Sequence, residues 1–292
     1  MAWPEAHGLA NAVSPPQARS VAGAISLRGV GKVYDPDGLA TVAVDDWTLE
    51  IANGEFVVVV GPSGCGKTTL LNGIAGFDPI TRGEIVLDGE TIASPSRSKR
   101  PGSDRIVVFQ NGSLFPWKTV VDNVAYGPVV QRRMSRGQAL QEARTLLERV
   151  GLGDVADAYP RKLSSGVQRR VEMMRALIND PKVLLLDEPF RALDAIARSV
   201  MHDELLKLYD ATKKTVFFIT HDLDEAIFLA DRVVVSTSRP ARVKRVLPID
   251  LPRPRTHLII ASPEFLALKR QIADAVHEEA EKAFRLGEPE LA

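Results

Sequence analysis

The residues with the clearest chemical arrangement are Gly61-Pro62-Ser63-Gly64-Cys65-Gly66-Lys67-Thr68-Thr69. Their spacing fits G-x-x-x-x-G-K-[ST], a loop that cradles phosphate. The glycines let the backbone turn so that its N–H groups converge on phosphate oxygens. A helix beginning near Gly66 adds its positive end. Lys67 brings a full charge to the β- and γ-phosphates, and Thr68 offers a hydroxyl to Mg²⁺. The chemistry implied is the binding of a nucleoside triphosphate, ATP with its Mg²⁺.

Other groups elsewhere in the chain suit the same ligand. Asp187 and Glu188 end the apolar run Val183-Leu184-Leu185-Leu186. In an open parallel sheet, sites lie beyond the carboxyl ends of strands. There Asp187 can hold Mg²⁺ through its water shell, and Glu188 can polarise a water in line with the γ-phosphate. Read alone, two acids there serve equally to cap the next turn. His221 follows the buried run Val216-Phe217-Phe218-Ile219 and can hydrogen-bond the γ-phosphate, although a lone His at a strand end also suits a structural role. Gln110 follows Arg105-Ile106-Val107-Val108-Phe109 and can reach both Mg²⁺ and the attacking water. Ser164, Ser165 and Gly166 open a helix, where hydroxyls and free N–H groups make an anion site, or where a Ser simply caps.

These groups need elements to carry them. Glu55-Phe56-Val57-Val58-Val59-Val60 reads as a buried strand before the phosphate loop, and Leu70, Leu71, Ile74 and Ala75 recur at helical spacing after it. Upstream, 25–34 and 41–51 alternate as antiparallel strands, joined by the turn Asp35-Pro36-Asp37-Gly38. A short strand spans 83–89, and 93–104 reads as loop. From about 119 to 179 the texture is helical, with Ser135 capping one helix, Gly151 stopping it, and a second helix beginning after Ser164. Then strands at 183–186, 215–219 and 232–236 alternate with helices at 195–212 and 222–230. That alternation predicts an α/β fold with a mainly parallel sheet covered on both faces, plus an antiparallel β subdomain and a helical insertion. Past Ser238 the prolines mark a tail, closed by a helix with Phe265, Leu268, Ile272 and Val276 on one face, a stripe that suits packing on the main domain.

Composition excludes several classes. The 292 residues carry a formal net charge of zero, which gives no global drive toward nucleic acid or anionic lipid. The basic runs at 97–100 and 132–136 read as solvated loops. Cys65 is the only cysteine, so no internal disulfide forms, which suits a reducing cytosol. It is either a reactive thiol at a helix N-terminus or a small residue tolerated there. No apolar run is long enough to cross a bilayer, and no signal peptide is expected, so any membrane role is peripheral. Residues 1–22, rich in Ala, Pro, Gly and Ser, read as a disordered leader.

Taken together in chain order, these features resemble the ATP-binding cassette (ABC) ATPases over residues from about 25 to 237. The resemblance implies that Tyr34 stacks on adenine, that Gly61 to Thr69 is the P-loop, and that Gln110 lies in the Q-loop. It makes Leu163 to Val167 the signature, Asp187 and Glu188 the Walker B pair, Ala192-Leu193-Asp194 the D-loop and His221 the switch histidine. Thr68, Asp187 and Gln110 become the Mg²⁺ residues. It implies residues 23–250 as the ATPase domain, with a helical signature subdomain at about 112–179 and a tail at 251–292. It also implies a head-to-tail pair with a second ATPase subunit, identical or not, in which the signature of one covers ATP on the P-loop of the other.

Two motifs depart from the family pattern. The usual signature is Leu-Ser-Gly-Gly-Gln, but here Ser165 and Val167 stand at its third and fifth positions; Arg191 stands where Ser or Gly usually precedes the D-loop. Both predict a slower ATPase or a more typical partner cassette. The segment Leu114-Phe115-Pro116-Trp117-Lys118-Thr119-Val120-Val121-Asp122-Asn123-Val124 resembles one in nitrate, sulfonate, taurine and related organic-anion importers, as does Asp250-Leu251-Pro252-Arg253-Pro254-Arg255. In that family the first segment lies near the groove that receives a permease coupling helix, and Phe115 and Trp117 suit such a contact if exposed. The expected partners are therefore a membrane permease and, indirectly, a periplasmic binding protein, with the chain on the cytoplasmic face of the inner membrane and no nucleic acid partner. The alternatives are a soluble cassette that gates a scaffold and a regulatory cassette that binds ATP without turning it over.

Overall fold

The computed structural model describes residues 22–38 and 40–285. The leader expected at 1–22 falls outside the described residues except for its last position, as does the end of the tail at 286–292. The chain runs β1 (Ile25–Tyr34), β2 (Thr41–Ile51), β3 (Phe56–Val60), α1 (Lys67–Ala75), β4 (Arg82–Leu87), β5 (Glu90–Ser94), β6 (Arg97–Ser98) and β7 (Arg105–Val108). It continues through α2 (Val120–Val130), α3 (Arg136–Arg149), α4 (Ser165–Leu177), β8 (Val183–Asp187) and α5 (Ala195–Thr212). It closes with β9 (Thr215–Ile219), α6 (Leu223–Leu229), β10 (Arg232–Ser236), β11 (Val243–Pro248) and α7 (Pro263–Arg285).

These elements cluster into two compact units. Among the described residues, the β-rich unit takes 22–38, 40–106, 182–188 and 214–285, and the helical unit takes 107–181 and 189–213. The β-rich unit holds an antiparallel sheet in the order β2-β1-β4-β5-β6. Its second sheet runs β11-β10-β3-β9-β8-β7, with β10, β3, β9 and β8 mutually parallel and β11 antiparallel to β10. Every residue of β3, β8 and β9 is buried. This is why those strands are continuous apolar runs rather than alternating ones: both faces are covered. Burying each such Val or Leu contributes roughly 1.5–3 kcal/mol. The α/β architecture expected from the alternation of elements is the one observed.

Three details differ from the sequence reading. Residues 93–104 are not all loop, because Ala93 pairs with Ser98 in a small hairpin. The tail after Ser238 contributes a strand to the main sheet: β11 pairs along the whole of β10. Its Lys244, Arg245 and Pro248 suit an edge strand, where polar side chains and proline are tolerated. On α7 the fully buried positions are Phe265, Ile272, Ala275 and Glu279, while Leu268 and Val276 are half-buried.

The helical unit is set by its caps. Thr119, Ser135, Ser164 and Asp194 each accept a hydrogen bond from a backbone N–H in the first turn of α2, α3, α4 and α5. Ser135 and Gln138 complete a reciprocal capping box. Each such cap contributes about 1 kcal/mol.

Candidate functional site

In the β-rich unit, β3 ends at Val60 and α1 starts at Lys67, so residues 61–66 form the connection while Lys67, Thr68 and Thr69 open the helix. Gly66 is the N-cap of α1 with φ 113°. A Cβ there would lie 2.3 Å from the Ala43 carbonyl oxygen, which no rotamer could relieve. The lysine is folded into the loop: its ammonium donates to the carbonyls of Gly61 at 2.8 Å and Pro62 at 2.7 Å. Lys67 is therefore buried yet fully hydrogen-bonded, with its charge held at the centre of the turn. Cys65 is buried with its sulfur 3.6 Å from the Lys67 ammonium and 3.6 Å from the Ser236 hydroxyl. That environment fits a small packed residue.

The strand-end acids meet this loop. The Thr68 hydroxyl donates to the Asp187 carboxylate, 3.0 and 3.2 Å from its two oxygens. Burial pushes the Asp187 carboxyl above the usual range, opposed by the Thr68 hydrogen bond. A hydroxyl and one carboxylate make a hard oxygen set, and among the described residues no cluster of three or more His, Cys, Asp and Glu forms. Such a set fits Mg²⁺, which takes few carboxylates and completes its shell with water and phosphate oxygens.

Glu188 adopts a left-handed backbone with φ 41°. For a residue with a side chain this costs about 1–3 kcal/mol and persists only where the surroundings hold it. Here its N–H donates to the Ile219 carbonyl at 2.9 Å. The turn swings the carboxylate beside His221, whose Nδ1 lies 3.4 Å from Glu188 Oε2. His221 is itself placed by a tight turn: Thr220 Oγ1 accepts from the Asp222 N–H at 3.0 Å, and the Asp222 carboxylate caps α6. Tyr34, at the end of β1 and partly exposed, has its hydroxyl 3.5 Å from Thr69 Oγ1 and 3.2 Å from Asp78 Oδ2, with the Lys32 ammonium 4.8 Å over its ring. Tyr34, the 61–69 loop, Asp187, Glu188 and His221 are thus gathered within one unit, linked in the pairs Tyr34–Thr69, Thr68–Asp187 and Glu188–His221.

Gln110, Ser164, Ser165 and Gly166 belong to the helical unit. Ser164 caps α4 through the Val167 N–H. At Gly166 a Cβ would touch only the Ala197 side chain, at an ordinary 3.9 Å, so packing inside this unit does not require glycine there. Trp117 is 71 % exposed and Phe115 half-buried. Their rings lie 5.6 Å apart, and Phe115 also meets Tyr126 edge-on at 4.8 Å. The aromatics form a surface cluster rather than a core.

The sequence reading assigned no role to Arg169, Glu172 or Arg175. Their i, i+3, i+6 spacing resembles a solvated helix stripe, yet Arg169 and Glu172 are buried and paired at 2.6 Å.

The sequence profile of the ABC transporter family matches residues 44–191, from β2 past Asp187 and Glu188. The chain belongs to the ABC transporter family. This cassette is 42% identical over 270 residues to the nitrate import ATP-binding protein NrtD of Synechococcus elongatus, covering 91% of this chain and 96% of that protein. It is 44% identical over 248 residues to the taurine import ATP-binding protein TauB of Rhizobium johnstonii, covering 82% of this chain and 91% of that one. Among solved structures it resembles the dimeric ATP-binding cassette MJ0796 in a post-hydrolysis state with ADP and Pi, with a TM-score of 0.66 and 30% identity over 78% of this chain and 100% of that one. The cassette is an ATPase of this family, and among its described residues no helix is long and apolar enough to cross a membrane.

Proposed function

We propose that this cassette binds and hydrolyses ATP to drive import of a small anion, such as nitrate, a sulfonate or taurine, through a separate membrane permease. The observation that carries the reading is the pairing of Thr68 with Asp187 and of Glu188 with His221 beside one phosphate loop. The likeness to nitrate and taurine import ATP-binding proteins supports the substrate class. Residues 23–250 form the ATPase domain, with a helical subdomain at about 112–179 and a tail at 251–292. The cassette lies peripherally on the cytoplasmic face of the inner membrane and takes solute delivered by a periplasmic binding protein. Its balanced charge supports no nucleic acid partner.

In this reading, the N–H groups of 61–69 and the Lys67 ammonium hold the triphosphate, and Tyr34 stacks on adenine. Thr68, Asp187 and Gln110 would hold Mg²⁺, which would supply positive charge against the triphosphate. Glu188 accepts the proton of the attacking water, and His221 hydrogen-bonds the γ-phosphate. Ser164, Ser165 and Gly166 of a second cassette cover that phosphate; the absence of any packing demand at Gly166 supports a close approach from outside. Closure of the pair on ATP and reopening after hydrolysis move the aromatic cluster, through which the permease is driven. Ser165, Val167 and Arg191 lie where that pair would meet and favour slow turnover.

The reading is tested by Lys67→Ala. Equilibrium binding of ATP should weaken at least 100-fold in a variant whose thermal unfolding is cooperative. An unchanged ATP affinity would contradict the assignment of the loop.

A further inference from the structure

Three polar residues on one face of α4 grip the segment that follows β7. The Arg169 guanidinium donates from Nη1 to the Phe109 carbonyl at 2.8 Å and from Nη2 to the Gln110 carbonyl at 2.7 Å. The same Nη1 lies 2.6 Å from Glu172 Oε2. The other oxygen of Glu172 accepts from the Ser113 N–H, and Arg175 donates to the Ser113 carbonyl at 2.7 Å and to its hydroxyl. Arg175 also lies 5.4 Å over the Phe115 ring. Turn after turn, α4 therefore holds residues 109, 110, 113 and 115.

The chemistry of this grip is specific. Arg169 is 5 % exposed, and an ion pair this deep costs desolvation that its mutual attraction seldom repays in full. A packed Leu or Met pair would avoid that desolvation. What the planar guanidinium supplies beyond stability is geometry, because its fork fixes two successive carbonyls and one carboxylate at once. The carbonyls it fixes belong to Gln110 and the residue before it. The helix that presents it begins at Ser164.

We propose that Arg169 is a positioning residue for Gln110: it sets the backbone from which that side chain reaches the nucleotide site, and it makes α4 and the 109–115 segment one rigid body ending at the surface aromatics. The proposal rests on the reading of Gln110 given above. A displacement of Phe115 and Trp117 then carries Gln110 and the start of α4 together.

The experiment uses the full-length chain and compares Arg169→Lys, the double variant Arg169→Met/Glu172→Met, Gln110→Ala and the combination of Gln110→Ala with Arg169→Lys. Lysine keeps the charge beside Glu172 but cannot reach both carbonyls. The methionine pair removes both charges without stranding either. Both should lower kcat for ATP hydrolysis about 10- to 100-fold, the scale of a misplaced reacting group, with the ATP dissociation constant within twofold of wild type. The methionine pair also removes the bonds to the Phe109 and Gln110 carbonyls and to the Ser113 N–H, so it should unfold somewhat earlier than wild type but still cooperatively. Adding Arg169→Lys to Gln110→Ala should cost nothing further, since the two act through one side chain. If Gln110→Ala slows hydrolysis while both Arg169 variants leave kcat within twofold, the positioning role is overturned and the Gln110 reading stands. Multiplying losses in the combination overturn it as well. Unchanged hydrolysis in Gln110→Ala removes both.

Discussion

Asn123 is fully buried in the first turn of α2, and its side chain shapes the loop that carries the exposed aromatics. Its oxygen accepts from the Phe115 N–H at 2.8 Å, and its amide donates to the carbonyls of Phe115 at 3.1 Å, Lys118 at 3.2 Å and Thr119 at 3.0 Å. The Thr119 carbonyl already accepts the helical N–H of Asn123 at 2.9 Å, so its second bond adds little. The Phe115 carbonyl likewise already accepts the Lys118 N–H at 3.1 Å. Replacing Asn123 by Ala therefore removes two bonds that matter and strands one donor, the Phe115 N–H, and one acceptor, the Lys118 carbonyl. At roughly 1 kcal/mol for each such bond the cost is about 2 kcal/mol. For a chain of this size that lowers the melting temperature by roughly 4–8 °C. Thermal unfolding followed by circular dichroism reads the global loss, and hydrogen exchange at the Phe115 amide reads its local origin. A fall below about 2 °C with Phe115 protection unchanged would refute the view that Asn123 organises this loop.

Two further perturbations have signs fixed by the structure. Glu279 on α7 is buried, which alone would raise its pKa, but hydrogen bonds from Lys282, Lys244 and the Ser238 N–H hold it at about 2. A pKa depressed in the folded state gives stability that is present above the unfolded value near 4.3 and lost as pH falls from about 5 through 2. Glu279→Gln should remove about 1–2 kcal/mol of that acid-sensitive stability after solvent screening; melting curves that run parallel to wild type across that window would show the bonds do not matter. Gly66→Ala should weaken ATP binding at least 10-fold and lower the melting temperature, because its Cβ meets the Ala43 carbonyl at 2.3 Å in a left-handed turn; isothermal titration with unchanged affinity would contradict this.

The β3–loop–α1 unit was legible because each signal is local: an apolar run, glycines at fixed spacing, then helical periodicity. Asp187, Glu188 and His221 were legible as strand-end positions, but that Glu188 leans on His221 depends on a left-handed turn no residue type announces. β11 was hidden by its own edge chemistry, since Lys244, Arg245 and Pro248 make it look like tail. The roles of the charges on α4 and α7 were not legible, for a common reason. Arg169 meets Phe109 from 60 residues away and Glu279 meets Ser238 from 41, so the partners that make burial tolerable are invisible to any short window.

Whether a water aimed by Glu188 attacks the γ-phosphate is decided most directly by Glu188→Gln. The substitution keeps the size of the side chain and removes its basicity. Single-turnover hydrolysis of Mg²⁺–ATP should slow by roughly 10²–10⁴-fold while ATP affinity stays within a few-fold of wild type. Hydrolysis at the wild-type rate would contradict the assignment.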